Sequence, residues 1–227
     1  MRARVSIEPG KAAILFVDLQ EEHRQDQRYL VAGFDALIGK TQELQRVARA
    51  NGVPVFHAAY IVDPSAPQQR PFHPVMPDGR SAFSDKDNPL SAICAEVGSV
   101  KDERVIIKSE ASAFGEGSLS SELRAHGVEW LFIAGVWTEA CIDQTVKDAI
   151  DLGFRVILIK DACGSGSMAM HQTGILNIAN RLYGGAITTS KGACQMMSGE
   201  IVEAWMIEGS VPFRFTFENA ATLYDQL

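Results

Sequence analysis

Cysteine is scarce in this sequence of 227 residues, which contains only Cys94, Cys141, Cys163 and Cys194. These residues stand far apart and show neither the CxxC spacing nor the paired spacing of a zinc ribbon. A chain of this length can bury a sizeable core without covalent cross-links. We therefore expect reduced thiols and a cytoplasmic location.

The sequence also lacks a long apolar segment and an excess of basic residues. The apolar run at 12–17 has the length of a strand, far short of the roughly 20 residues that a membrane-spanning helix needs. Residues 1–11 lack the pattern of a signal peptide. The formal net charge is −7 at pH 7, with no basic patch. We expect neither a membrane nor a nucleic acid among the partners.

Hydrophobic residues make up 46% of the chain and charged residues 22%, as in an ordinary globular protein. The length suits one domain, so we expect a single domain over residues 1–227. The C-terminal tail, residues 210–227, contains an alternating aromatic segment that is too apolar to be exposed alone. We expect this tail to pack on the core or on a neighbouring subunit of a homodimer or homotetramer.

Apolar runs of strand length alternate with segments of helical periodicity. A continuous apolar run such as 12–17 is typical of a parallel strand that is buried on both faces. Strands are predicted at 12–17, 53–59, 104–107, 130–134, 155–159 and 186–189, and helices at 34–50, 118–127, 139–152 and 168–182. The alternation predicts an α/β protein with three α/β/α layers and a doubly wound, mainly parallel, Rossmann-like sheet of about six strands.

Two irregular segments interrupt this pattern. Residues 19–33 are polar, and residues 61–90 contain six prolines, which exclude a long helix or a central strand there. The second segment is interpreted either as an excursion that lines or covers a site, or as a plain surface loop.

Three reactive side chains follow predicted strands, namely Asp18, Lys108 and Cys141. In a doubly wound sheet, ligands bind beyond the carboxyl ends of the strands, so these side chains are candidates for one site. Cys141 also falls in the first turn of a predicted helix, where unpaired N–H groups and the helix dipole favour a thiolate. We therefore expect Cys141 to ionise readily and to act as a nucleophile.

The three residue types suit acyl transfer through a thioester. A carboxylate can take the proton of a thiol and later deliver it to a leaving group. A lysine ammonium can hold that carboxylate ionised and can steady a thiolate. Backbone N–H groups at the start of a helix can stabilise the oxyanion of a carbonyl under attack.

Three motifs together resemble the isochorismatase-like cysteine hydrolases, and in particular their amidohydrolase branch, which includes the N-carbamoylsarcosine amidohydrolases. The motifs are Val17-Asp18-Leu19-Gln20, then Ile107-Lys108-Ser109 with Ser112-Ala113-Phe114, and finally Ala134-Gly135-Val136-x-Thr138-x-x-Cys141. The resemblance covers roughly residues 10–190. It implies that Asp18 is the general base and later the acid, Lys108 an electrostatic partner, and Cys141 the nucleophile.

The resemblance also implies a backbone contribution and a set of substrate contacts. It implies a cis peptide bond between Val136 and Trp137, with the N–H groups of Trp137 and Cys141 facing the substrate oxygen. The side chains that we expect to bind substrate are Gln20, Phe114, Trp137 and Thr138.

Departures from the family pattern narrow the chemistry. The nicotinamidase branch carries a metal-binding Asp-x-His with a further His, whereas here Asp63 is followed by Pro64, and His57 and His73 lack the pattern. We therefore expect no metal and no cofactor. True isochorismatases lack the nucleophilic cysteine, so Cys141 favours cleavage of a carbon–nitrogen bond in a small amide, ureido or carbamoyl compound.

Two alternatives stay open at this level. The first is hydrolysis of an ether by Asp18 without a covalent intermediate, as in isochorismatases. The second is a non-catalytic, flavodoxin-like module that binds a small ligand at the same strand ends. The segment at 164–166, Gly-Ser-Gly, lacks the length and the lysine of a phosphate-binding loop, so a turn is predicted there. His171 follows in a predicted helix, and a role for it in the site is left open.

Overall fold

The computed structural model describes residues 1–66, 70–115, 117–210 and 212–227. The strands are β1 (Arg2–Val5), β2 (Ala12–Val17), β3 (Val55–Tyr60), β4 (Arg104–Lys108), β5 (Trp130–Val136), β6 (Arg155–Gly164), β7 (Ala186–Thr188) and β8 (Val202–Trp205). The α-helices are α1 (Glu22–Gln25), α2 (Phe34–Ala50), α3 (Ser118–Ala125), α4 (Asp143–Asp151), α5 (Met168–Ala179), α6 (Ser190–Met197) and α7 (Ala220–Gln226). A π-helical turn, Thr138–Ile142, joins β5 to α4.

The strands form one sheet in the order β1-β8-β7-β6-β5-β2-β3-β4. Strands β2 to β7 are parallel, which confirms the prediction of a doubly wound sheet with about six such strands. The sheet continues at one edge with β8 and β1, which are antiparallel. These two strands escaped prediction because each has only four residues, too few for a clear period of two.

Helices cover both faces of the sheet because neighbouring residues of β2 point in opposite directions. Ile14 and Phe16 pack in one apolar cluster together with residues of α2 and α6. Leu15 and Val17 pack in a second cluster with residues of α3, α4 and α5. All four side chains are at most 1% exposed, and burying each such side chain contributes about 1.5–3 kcal/mol. The result is the predicted three-layer architecture.

The strand order reverses between β2 and β5, so their carboxyl ends form the switch point of the sheet. At this point Val17 pairs with Gly135. Gly135 has a φ of +129°, and a Cβ there would lie 2.0 Å from the carbonyl oxygen of Val17. Only glycine lets the two strands approach this closely in this conformation.

The irregular segment after β3 contains no long helix or central strand in its described part, residues 61–66 and 70–90. Pro67, one of its prolines, lies outside the described residues. The segment is anchored at its base, where both the N–H and the hydroxyl of Ser84 donate to the buried carboxylate of Glu22.

Part of the described C-terminal tail packs on the core, whereas Phe217 is 95% exposed. The ring of Phe213 packs on Trp205 with 5.2 Å between centroids. The side-chain amide of Asn180 donates to the carbonyl oxygen of Phe213 and accepts a hydrogen bond from its N–H. Leu227 is 1% exposed. Within the described residues, no helix is both long and apolar enough to cross a membrane.

Replacing Gly135 with alanine tests the close approach of β2 and β5. The variant combines an unfavourable φ with a steric overlap, so we expect it to lose about 3 kcal/mol or more of unfolding free energy. The measurement is urea unfolding. Gly199→Ala is the matched control, because Gly199 also has a positive φ but open space around it; it should lose about 1 kcal/mol. Equal losses in the two variants would contradict the role of the close contact.

Candidate active site

The structure brings Asp18, Lys108 and Cys141 together at the carboxyl ends of β2, β4 and β5. The Nζ of Lys108 donates to Oδ2 of Asp18 at 2.7 Å and to the carbonyl oxygen of Glu110 at 3.0 Å. The same nitrogen lies 3.5 Å from Sγ of Cys141. The lysine therefore bridges the carboxylate and the thiol, although 90 and 33 residues separate it from them in sequence.

The ion pair between Lys108 and Asp18 is buried, with the two residues 1% and 2% exposed. A buried charge is tolerated only when a partner compensates for lost hydration. In the described part of the chain, the other carboxylate oxygen of Asp18, Oδ1, has no hydrogen-bond partner. A buried oxygen without a partner is unusual, and here it can accept a proton or a hydrogen bond from a substrate.

Asp18 adopts a left-handed backbone conformation, with a φ of +54°. This conformation is uncommon for a residue with a side chain and costs about 1–2 kcal/mol. Two backbone hydrogen bonds hold it: the N–H of Asp18 donates to Ala58, and the carbonyl oxygen of Asp18 accepts from the N–H of Gln20, both at 2.9 Å. The turn places the carboxylate beyond the end of β2.

The thiol of Cys141 is not ionised in the resting structure. Burial and, to a lesser extent, the charge of Asp18 raise its pKa to about 12 against the opposing effect of Lys108. The expectation of a ready thiolate is therefore wrong, because loss of hydration outweighs the helix-terminus effect. The sulfur keeps its proton beside a carboxylate that can receive it.

The turn that carries Cys141 is not the start of an α-helix. The peptide bond between Val136 and Trp137 is cis, as the family resemblance implies. The carbonyl oxygen of Trp137 accepts hydrogen bonds from the N–H groups of Ala140 at 3.0 Å and Ile142 at 3.1 Å. The second bond spans five residues, which is the pattern of a π-helical turn and is frequent at functional sites. The α-helix predicted from about residue 139 begins only at Asp143.

Gln20 does not offer its side chain to a substrate, which corrects one prediction. Its amide nitrogen donates to the carbonyl oxygens of Tyr60 at 2.9 Å and Ser91 at 2.7 Å. Its amide oxygen accepts from the N–H of Tyr60 at 2.9 Å. Because the residue is fully buried and both amide protons are used, Gln20 clamps β3 to the segment before β4.

The side chain of Thr138 is also occupied, which corrects a second prediction. Its hydroxyl is buried, donates to the carbonyl oxygen of Gly164 at 2.9 Å and lies 2.8 Å from Nδ1 of His171. These contacts tie the π-helical turn to β6 and α5 and leave no group for a substrate.

The two aromatic candidates differ in their surroundings. Phe114 is 8% exposed and stacks on Phe154 with 6.0 Å between centroids, so little of its surface is left for a substrate. Trp137 is half-buried, and its indole Nε1 donates to Nδ1 of His23 at 3.3 Å. Burial lowers the pKa of His23. The same nitrogen lies 3.3 Å from the carbonyl oxygen of Tyr29, so it accepts from Trp137 in one tautomer and donates to Tyr29 in the other.

Tyr60 belongs to the site but escaped the sequence analysis. Its ring lies 4.5 Å from Nζ of Lys108, measured to the centroid, which is a cation–π distance. It ends β3 and pairs in register with Lys108. The strand-end argument that identified Asp18 and Lys108 would have identified Tyr60 as well.

The histidines considered for a metal site have other partners. His57 contacts Glu103 at 3.2 Å, and His73 contacts the hydroxyl of Ser81 at 2.7 Å. Across residues 1–66, 70–115, 117–210 and 212–227, no three His, Cys, Asp or Glu side chains are grouped as metal ligands. All four cysteines are free, and Cys194 is only partly buried.

Alkylation with iodoacetamide tests the protonation state of Cys141. Because its pKa is raised to about 12, the labelling rate should rise about tenfold per pH unit from pH 7 to pH 10 without a plateau. Asp18→Asn removes a charge that raises this pKa, so the variant should label faster than the wild type at pH 8. Peptide mass spectrometry measures the rate at Cys141. A plateau near neutral pH would show that the free thiol is ionised.

Comparison with known proteins matches the chain to one family. A family model described as the isochorismatase domain matches residues 12–192. Maleamate amidohydrolase of Pseudomonas putida is 30% identical over 195 residues, which cover 82% of this chain and 87% of the relative. N-carbamoylsarcosine amidase of an Arthrobacter species is 25% identical over 187 residues, covering 76% of this chain and 66% of the relative.

A solved structure shows the same fold. The cysteine hydrolase from Pseudomonas syringae pv. phaseolicola superimposes with a TM-score of 0.78 at 20% sequence identity. The match covers 87% of this chain and 97% of that one.

Proposed function

The chain belongs to the isochorismatase family, and from this premise we propose that it hydrolyses a carbon–nitrogen bond in a small amide, ureido or carbamoyl compound through a thioester on Cys141. The observation that carries the proposal is the position of the Lys108 ammonium, which contacts both the Asp18 carboxylate and the Cys141 sulfur. That arrangement suits a proton transfer between the thiol and the carboxylate, since a cation lies beside both groups.

In the first half-reaction, Asp18 takes the proton of the Cys141 thiol while the sulfur attacks the substrate carbonyl carbon. The pKa of the thiol, raised to about 12, makes this transfer unfavourable before attack, so proton transfer and attack proceed together. Lys108 stabilises the resulting charges. The N–H groups of Trp137 and Cys141 bind the oxyanion that forms.

Acylation is complete when the protonated Asp18 delivers its proton to the departing nitrogen and the carbon–nitrogen bond breaks. Ammonia or an amine leaves, and an acyl group stays on the sulfur of Cys141. Water then attacks the thioester as Asp18 again takes a proton, and the returning thiol receives it. The net reaction is amide plus water to acid plus amine, and no cofactor takes part in it.

One cation near this site supports a more specific proposal for the substrate. Nη1 of Arg70 donates to the hydroxyl of Tyr60 at 2.8 Å, at the end of the ring that Lys108 contacts. Burial raises the pKa of Tyr60 to about 12, so the phenol is neutral. Among the described residues, no carboxylate forms an ion pair with Arg70. A guanidinium without an acid partner suits a carboxylate ligand, so we propose a substrate that carries a carboxylate besides its amide or ureido group.

Replacing Cys141 tests the covalent mechanism. Cys141→Ala and Cys141→Ser should lower kcat by at least about 10⁴-fold, because no other thiol lies beside Asp18 and Lys108. The assay is ammonia release from a panel of small amides, ureas and carbamoyl compounds. Cys194→Ala is the matched control and should turn over normally. Mass spectrometry of quenched wild-type enzyme should show an acyl adduct on Cys141. Full activity in Cys141→Ala would instead favour non-covalent hydrolysis by Asp18.

Replacing Arg70 tests the choice of substrate. With an acid-bearing amide, Arg70→Ala should lower kcat/KM by about 10–100-fold, the value of a hydrogen bond to a charged group. With the matching neutral amide, the same variant should differ little from the wild type. Arg80→Ala is the control, because Arg80 lies on the same segment and pairs with Asp78. Equal losses on both substrates would contradict the carboxylate contact.

A further inference from the structure

The C-terminal helix α7 contacts α5 through Tyr224. The hydroxyl of Tyr224 lies 3.1 Å from Nε2 of His171, and the two rings cross at 70° with 5.4 Å between centroids. On its other side, Nζ of Lys160 donates to the carbonyl oxygen of Tyr224 at 3.0 Å and lies 4.5 Å from the ring centroid. The hydroxyl, the ring and the backbone of Tyr224 are therefore all held.

The number of donors and acceptors decides where the protons lie between Tyr224, His171 and Thr138. The single hydroxyl proton of Thr138 goes to the carbonyl oxygen of Gly164, so the Thr138 oxygen must accept from His171. His171 therefore carries its proton on Nδ1, and Nε2 accepts from Tyr224. Burial lowers the pKa of His171 to about 4, so the imidazole is neutral at physiological pH. With the proton on Nδ1, the hydrogen bonds of Tyr224, His171 and Thr138 are mutually consistent. A backbone hydrogen bond with Lys160 also favours a proton on the ring.

This series of hydrogen bonds runs from Tyr224 to the turn that carries Cys141. Thr138 is the first residue of the π-helical turn. Helix α5 also packs directly on this residue, because a Cβ at Gly174 would lie 2.9 Å from Cγ2 of Thr138 and 3.2 Å from the N of Glu139. The turn is thus fixed to α5 by a hydrogen bond and by close packing.

We propose that His171 and Tyr224 are positioning residues, which hold the turn of Cys141 through the hydroxyl of Thr138. This inference rests on the proposed thioester mechanism and extends it to the C-terminal helix α7. Because these residues set the direction of the nucleophile and of the N–H groups near it, their loss should lower kcat and leave KM nearly unchanged.

Three variants separate positioning from mere stability. His171→Ala removes the donor to Thr138 and should lower kcat by about 10–100-fold. His171→Asn keeps an amide N–H near the place of Nδ1, so kcat should recover to within about threefold of the wild type. Tyr224→Phe keeps the ring and loses only the hydroxyl, and should lower kcat by about fivefold. Tyr183→Phe, at a tyrosine that is 44% exposed, is the matched control.

The assay uses the small amide or ureide that the wild-type enzyme turns over best in the panel, at a temperature where thermal unfolding shows every variant to be folded. Lowered kcat with KM within about twofold of the wild type, and recovery in His171→Asn, would support positioning. Wild-type kcat in His171→Ala and Tyr224→Phe, or equal losses in His171→Ala and His171→Asn, would overturn it. Activity that survives Cys141→Ala would overturn the thioester mechanism and, with it, this inference.

Discussion

The buried ion pair between Lys108 and Asp18 is the interaction on which the rest of the site depends. Neither charge would be stable at its position alone, since both are almost fully excluded from water. The pair also acts on Cys141: burial is the main reason for the raised pKa of the thiol, and Asp18 adds to this shift while Lys108 opposes it. The thiol of Cys141 thus lies close to a carboxylate that is kept in place by a cation.

The sheet makes this pair possible by bringing strand ends together. The carboxyl ends of the parallel strands β2, β5 and β4 all lie at the same edge of the sheet. Residues that are distant in sequence therefore meet there. The strand order reverses between β2 and β5, which carry Asp18 and the turn of Cys141 at that edge. Gly135 allows the two strands to approach closely at this point, and the turn of Cys141 follows it directly.

The parallel strands and the catalytic candidates were predictable because their signals are local. An apolar run followed by Asp18, or a cysteine just after a strand, can be seen within a few residues. The side-chain roles of Gln20 and Thr138 were not predictable, because Ser91 and His171 are 71 and 33 residues away from them. The prediction that Cys141 ionises readily was wrong for a similar reason. The burial that raises its pKa comes from residues that the local helix pattern does not show.

The number of hydrogen bonds that the Lys108 ammonium can donate also limits how a substrate can bind. An ammonium carries three protons, and the structure supplies three acceptors: Asp18, the carbonyl oxygen of Glu110 and the sulfur of Cys141. A substrate that enters the site finds this donor saturated. The proposed oxyanion contacts are consistent with this, because they are made by main-chain N–H groups and not by the lysine. In the proposed reaction, the group that reacts would then be held by the backbone of the Cys141 turn, and the rest of the substrate by side chains.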